Sequence, residues 1–455
     1  MRNRILYLFA SLVILSGCGN QPAYKNSNLS PEERAEDLLQ QLTLEEKVAL
    51  MMDNSKPVER LGIKPYNWWN EALHGVARSG LATVFPQPIG MAASFEPDAI
   101  HTIYTAVSDE ARAKNTAYSA AGSYERYQGL TMWTPTVNIY RDPRWGRGIE
   151  TYGEDPYLTS VMGVNVVKGL QCTDANQKYD KIHACAKHFA VHSGPEWNRH
   201  SFNAENISPR DLYETYLPPF EALVKEGKVK EVMCAYNRFE GEPCCGSNRL
   251  LTHILREEWG YDGIVVSDCS AISDFHNAKG HKTHPDAASA SSAAVLSGTD
   301  LECGSNYRSL IEGVKRGLIN EKRHRPLRKT SVTGTLRIGR DGRTQPGGLG
   351  TDTLFSSRLR QARFTVAGHG TQVHDTVTKQ KRHPSPRTRW ESHRRNGSQR
   401  QRLRDAVGKL QRYSQTYHHH SGRYPIGHEQ RRQTDLRTRL FMGGKEIDTQ
   451  RIQPV

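Results

Sequence analysis

Residues 264–275 read IVVSDCSAISDF. A short run rich in β-branched residues ends at Ser267-Asp268 and then breaks into small and polar side chains. Such a run, bounded by turn formers, is the pattern of a buried strand. A strand that delivers a carboxylate at its end leaves three readings for Asp268: a turn former, a helix cap or a nucleophile.

Working outward, strand-like runs recur at 131–140 (TMWTPTVNIY), 182–191 (IHACAKHFAV), 229–236 (VKEVMCAY) and 294–304 (AVLSGTDLECG). Helical stretches lie between them, after Ser208-Pro209-Arg210-Asp211, from Asn248 to Trp259 and along 285–296. Ser30-Pro31-Glu32-Glu33 is a capping box with Pro at the first helical position, and it opens a helix running toward Met52. Strands alternating with helices predict an α/β fold with a parallel sheet. About 300 residues of alternation suit a (β/α)8 TIM-like barrel. Polar residues recur late in the strand candidates or just after them: Arg141-Asp142, Lys187-His188, Tyr236-Asn237, Asp268 and Asp300-Glu302. In a barrel these positions converge on the face where chemistry is done. No GxGxxG or Walker loop follows any strand, so nucleotide binding lacks its usual signature.

The net charge of +14 is unevenly spread. Residues 321–455 hold 30 of the 62 Lys and Arg but 10 of the 48 Asp and Glu, which leaves the body net acidic. At the other end, Arg2 and Arg4 precede an apolar stretch from Ile5 to Leu15, too short to span a bilayer and flanked like a secretory signal. Leu15-Ser16-Gly17-Cys18 resembles a bacterial lipobox, with Cys18 as the acylated residue. The expectation is an exported lipoprotein of the periplasm or outer membrane, held by a lipid anchor with a tether over 19–30. The eight cysteines show no CxxC or His-rich ligand spacing, which argues against zinc. Export permits disulfides, their pairing is not legible, and most cysteines are expected as buried thiols.

Six separated motifs carry a resemblance to glycoside hydrolase family 3, the β-glucosidase and β-xylosidase group. They are YNWWNEALHGVA (66–77), RDPRWGRGIETYGEDPY (141–157), KHFAVHSGPEWNRHSFNA (187–204), RDLYETYLPPF (210–220), MCAYNRFEGEPCCGS (233–247) and VVSDCSAI (265–272). The resemblance spans roughly 31–322 and implies one barrel domain. The paired Trp68-Trp69 is more like the xylosidase branch. Asp268 stands where the family places its nucleophile, the carboxylate that attacks the anomeric carbon in a retaining glycosidase. Glu71, Arg147, Lys187 and His188 match binders of the non-reducing terminal sugar, and Arg199 and Tyr236 are expected to line the same pocket. Structural roles stay open beside these: Arg147 paired with Glu150 or Asp155, Tyr236 in the core.

Retaining hydrolysis needs a second carboxyl as acid/base. In the xylosidases and glucosidases of this family it resembles a Glu from a later α/β sandwich domain, and none is recognisable here. The N-acetylglucosaminidase branch uses a His–Asp pair on a loop, but SGPEWNRHSFNA (193–204) offers His200 without an adjacent Asp. Residues 323–455 turn abruptly into a basic stretch with no period of 2 or 3.6, a composition that predicts disorder. That tail is either a genuine polyanion-binding segment or translation in a shifted frame from near residue 322; the change inside a recognisable helix favours the second. The expectation is an exo-acting β-glycosidase releasing β-D-xylosyl or β-D-glucosyl residues from oligosaccharides, with no cofactor, no metal and no nucleic acid partner. The alternatives are an inactive carbohydrate-binding lipoprotein lacking the acid/base domain, and a polyanion-binding surface protein.

Overall fold

The four best-formed strands lie side by side and all run parallel: β3 (Thr131–Met132), β4 (His183–Phe189), β6 (Glu231–Cys234) and β9 (Ile264–Ser267), in the order β3-β4-β6-β9. Every residue in them is buried. A parallel sheet covered on both faces requires such continuous runs. These are features of a computed structural model that describes residues 22–171 and 180–320. Cys18, the tether's first residues and the tail from 323 lie outside the described residues.

Helices connect the strands as the alternation predicts. Pro97–Ala120 precedes β3, Pro156–Gln171 links β3 to β4, Pro218–Lys225 precedes β6, and a π-helical Asn248–Glu258 precedes β9. Phe189 of β4 anchors the cover, its ring 5.1 Å from Phe220 and 5.8 Å from Trp259. Gly169 lets the first two helices touch: a Cβ there would lie 2.6 Å from the His101 carbonyl oxygen.

Outer segments attach to this sheet by short contacts. β1 (Asn54–Ser55) pairs antiparallel with β2 (Tyr66–Asn67). Single bridges join Asn70 to Met132, Val266 to Leu301 and Met52 to Glu302. Their hydrogen bonds include Trp133 N–H to Asn70 O at 2.8 Å and Asp53 N–H to Glu302 O at 2.8 Å. A small second sheet, β5 (Asn203–Ala204), β7 (Arg238–Phe239) and β8 (Glu242–Pro243), forms from the loops that follow β4 and β6.

Several expectations change. The fold is α/β, but its regular ladder has four strands and no closed (β/α)8 barrel appears among the described residues. The expected strand over 131–140 is regular only at Thr131–Met132; Pro135, with no N–H to give, interrupts it, and pairing with β4 resumes as a single bridge between Thr136 and Lys187. The strand expected at 294–304 starts inside a helix, Ala287–Ser297, and only Leu301 and Glu302 bridge. The helix toward Met52 is two helices, Pro31–Gln41 and Leu44–Leu50, because Thr43 and Glu46 form a second capping box. The cysteines differ too. Cys234–Cys245 and Cys269–Cys303 are disulfides, and Cys185 and Cys244 are free and buried. The fold brings each bonded pair's Cα atoms to 5.1 Å and 4.4 Å, within bridging range.

Candidate active site

Asp268 follows β9 directly and is 7% exposed. Its N–H donates to the Cys234 carbonyl at 3.1 Å, across the ladder to the end of β6. The Cys269 N–H donates to Asp268 Oδ1 at 2.7 Å, whereas Oδ2 is buried and makes no hydrogen bond. Burial raises the carboxyl's pKa, and Arg147 and Lys187 pull it part of the way back. A buried carboxyl with a perturbed pKa and one unpartnered oxygen marks a candidate functional site.

β4 brings two adjacent residues to that carboxylate. Its register against β6 skips between Lys187 and Phe189, making His188 the extra residue of a bulge. Bulges re-aim side chains, and this one lets consecutive residues serve one site. Lys187 Nζ lies 3.5 Å from Glu71 Oε2, and His188 Nε2 lies 3.6 Å from Asp268 Oδ2. Asn138 Oδ1 accepts from the His188 backbone N–H at 2.8 Å and from Nδ1 at 3.1 Å, and Asn138 Nδ2 donates to the His188 carbonyl at 2.8 Å. An amide oxygen only accepts, so Nδ1 carries the proton and Nε2 presents a lone pair. Burial, then the Arg147 and Lys187 cations, hold the His188 pKa well below its ordinary value, so the ring is neutral.

Glu71 is steered from two sides. Trp69 Nε1 donates to its Oε1 at 3.2 Å, and Trp69 is itself stacked on Trp133 at 5.7 Å with the Arg126 guanidinium 4.1 Å over its ring. Arg147 forks onto Glu150 at 2.9 Å and 2.8 Å, the pairing left open by the sequence, while its charge also acts on Asp268. Burial opposes the Glu150 charge, yet Arg147 and Lys187 bring its pKa below the usual value.

The loop after β4 supplies a second cluster. Arg199 donates to Glu196 Oε2 at 2.8 Å and to His200 Nε2 at 3.1 Å, and lies 4.8 Å over the Tyr236 ring. The Tyr236 hydroxyl donates to the Cys269 carbonyl at 2.9 Å, which ties this cluster to the neighbour of Asp268. His200 Nδ1 lies 2.7 Å from Asp274 Oδ2. The acidic partner of His200 thus lies outside 193–204, on the helix Ala271–Asp274 after β9. Burial raises the Asp274 pKa and His200 counters it.

The six residues expected around Asp268 thus all connect to it, directly or through one neighbour: Glu71, Arg147, Lys187, His188, Arg199 and Tyr236. Asn138, Glu196 and Asp274 were missed, and Glu150 was foreseen only as a structural partner of Arg147. Asp274 stood in the stretch first quoted, six residues past Asp268, and Asn138 in a strand candidate.

Residues 33–327 match the family described as glycosyl hydrolase family 3 N terminal domain. The chain is 55% identical over 322 residues to a xylan 1,4-beta-xylosidase of Xylanibacter ruminicola, a stretch that is 69% of this chain and 37% of that protein. Among solved structures, a GH3 exo-beta-xylosidase in complex with a xylobiose aziridine probe superposes with a TM-score of 0.67 at 33% identity, covering 76% of this chain and 45% of that one. A GH3 beta-glucosidase of Bifidobacterium adolescentis gives 0.57 at 29% identity, covering 71% and 43%. The chain spans about two fifths of the length of the curated relatives it matches. These likenesses give no support to a polyanion-binding protein or to an inactive sugar-binding one.

Proposed function

The chain belongs to glycosyl hydrolase family 3 through its N-terminal domain, and from that premise we propose that it carries the nucleophile and sugar-binding half of a retaining, exo-acting β-glycosidase. The substrate is the terminal non-reducing β-D-xylosyl residue of an oligosaccharide, with β-D-glucosyl as the alternative. The name of the Xylanibacter relative supports the xylosyl choice. One observation carries the reading: a buried carboxylate oxygen, Asp268 Oδ2, without a hydrogen bond, among the cation-bearing and neutral donors and acceptors of Arg147, Lys187 and His188.

Asp268 Oδ2 attacks the anomeric carbon as the glycosidic oxygen leaves, forming a glycosyl ester that water later cleaves with net retention. Arg147 and Lys187 keep the carboxylate ionised despite its burial. Lys187, Arg147, Glu71 and His188 orient the sugar through its hydroxyls, which lowers the entropic part of the barrier. Arg199 and Tyr236 bound the same pocket. A second carboxyl, acting as acid/base, supplies the proton for the leaving group, and no step calls for a metal or organic cofactor.

The sheet fits a TIM-like barrel, supported by the bridges that carry both of its edges toward the 52–55 segment. Attachment through an acylated Cys18 is part of the same proposal, supported by the lipobox alone.

The test uses a dinitrophenyl 2-deoxy-2-fluoro-β-xyloside and its glucoside counterpart, whose leaving groups need little protonation. Mass mapping should find the glycosyl group on Asp268, faster from the xyloside, and none in Asp268→Asn. Labelling at another carboxylate would sink the assignment.

A further inference from the structure

The residue at 268 is held from both sides by disulfide-bonded segments. Its N–H meets the carbonyl of Cys234, bonded to Cys245, and its Oδ1 receives the N–H of Cys269, bonded to Cys303. Around the second bridge, Ser270 N–H donates to the Cys303 carbonyl at 2.7 Å and Cys303 N–H donates to Ser267 Oγ at 3.0 Å. Ser270 itself has φ 65°, a left-handed conformation that a serine holds only when its surroundings dictate it. The turn 267–270 is thus laced to the segment at 303 by one covalent bond and two hydrogen bonds.

We propose that the Cys269–Cys303 disulfide is a positioning element for the reaction: it fixes the Cys269 N–H on Asp268 Oδ1, leaving Oδ2 as the oxygen that attacks. The inference rests on Asp268 as the nucleophile and goes beyond that reading, which requires no disulfide. The two bridges differ in access. Cys234 and Cys245 are fully buried, whereas Cys269 is only partly so. An external dithiol therefore reaches the Cys269 side first. Its thiolate attacks the bridge to give a mixed disulfide, and its second thiol resolves it. Two electrons and two protons pass to the bridge, leaving two protein thiols and a cyclic disulfide of the reductant.

The experiment compares the full chain, the Cys269→Ser/Cys303→Ser variant, and the full chain after mild dithiothreitol treatment and reoxidation. Two quantities are read: the pH-dependent rate of Asp268 labelling by the fluoroxyloside, and hydrogen exchange of the peptide 264–275. The expected result is labelling slowed at least tenfold, an acid limb moved to higher pH because Oδ1 has lost its donor, and faster exchange at the Cys269 amide. Reoxidation of the reduced chain should reverse all three. A lower melting temperature with unchanged labelling, pH profile and exchange would make the bridge a plain staple and overturn the proposal. If the double variant does not fold, the reduced native chain supplies the same comparison. Failure of the oxidised chain to label at Asp268 would overturn the nucleophile reading, and exchange alone would still report whether the bridge holds the turn.

Discussion

His188 Nε2 stands 3.6 Å from Asp268 Oδ2, and no hydrogen bond joins them. Because Asn138 takes the proton on Nδ1, two acceptors face each other across that gap. A sugar hydroxyl reaching this edge has one proton to donate, and giving it to Nε2 leaves Oδ2 free to attack. Asn138→Ala frees the tautomer and should slow labelling of Asp268 about tenfold, the effect of one hydrogen bond of ordinary strength. An unchanged rate would show that the tautomer is fixed by other means.

Burial raises the Asp268 pKa, and the Arg147 and Lys187 cations offset only part of that rise. The acid limb of labelling should therefore lie above pH 3.8, the carboxyl's ordinary value, and activity should fall as pH drops through it. Arg147→Gln removes the largest favourable charge and should push that limb further up. Titrating the labelling rate of both proteins gives the comparison; coincident limbs would mean that Arg147 serves Glu150 alone.

The same raised pKa has a thermodynamic face. A carboxyl whose folded pKa exceeds its unfolded one contributes stability below the unfolded value, and that contribution is lost as pH rises through the folded one. At neutral pH the raised pKa of Asp268 thus counts against the fold. Asp268→Asn should abolish labelling and raise Tm by a few degrees, about 2–4 °C per kcal/mol for a domain of this size. A lower Tm in calorimetry would contradict it.

His183 sits at the other end of β4 between Asp180 Oδ2 at 3.1 Å and Glu231 Oε1 at 3.0 Å, fully buried. Burial works against its charge, but the two carboxylates prevail and raise its pKa. Its contribution is complete below pH 6.5 and fades as pH rises through the folded value. His183→Gln should lower stability by roughly 3–5 kcal/mol, the cost of stripping a buried charge of its partner. Urea melts at several pH values should also lose the decline above pH 6.5 seen in the parent.

Gly169→Ala places a methyl 2.6 Å from the His101 carbonyl oxygen, where backbone must move. A loss of about 1–3 kcal/mol is expected in a denaturant melt, as for other overpacked contacts.

The strands β4, β6 and β9 were legible because their apolar runs are continuous and end in turn formers. Legible too were the motifs that carry Glu71, Arg147, Lys187, His188, Arg199, Tyr236 and Asp268, since their spacing survives without coordinates, and the fold gathers these residues. The pairings were not. His200 with Asp274 spans 74 residues and Cys269 with Cys303 spans 34, and such proximity is set by how strand ends gather, which no local pattern encodes. The break at Thr43 was readable and overlooked: T-x-x-E signals a new start inside what periodicity alone joins.

The bridge between Met52 and Glu302 joins positions 250 residues apart, and Asp53 Oδ1 also accepts from the Gly304 N–H at 3.2 Å. During synthesis, the segment at Met52-Asp53 therefore waits for nearly the whole domain to be translated before its outer neighbour arrives. Until then an apolar edge stands uncovered, the situation in which chaperones are recruited and nascent chains aggregate. Ribosome-bound chains stopped at residue 300 should accordingly hold a chaperone that chains carrying residues 301–320 release.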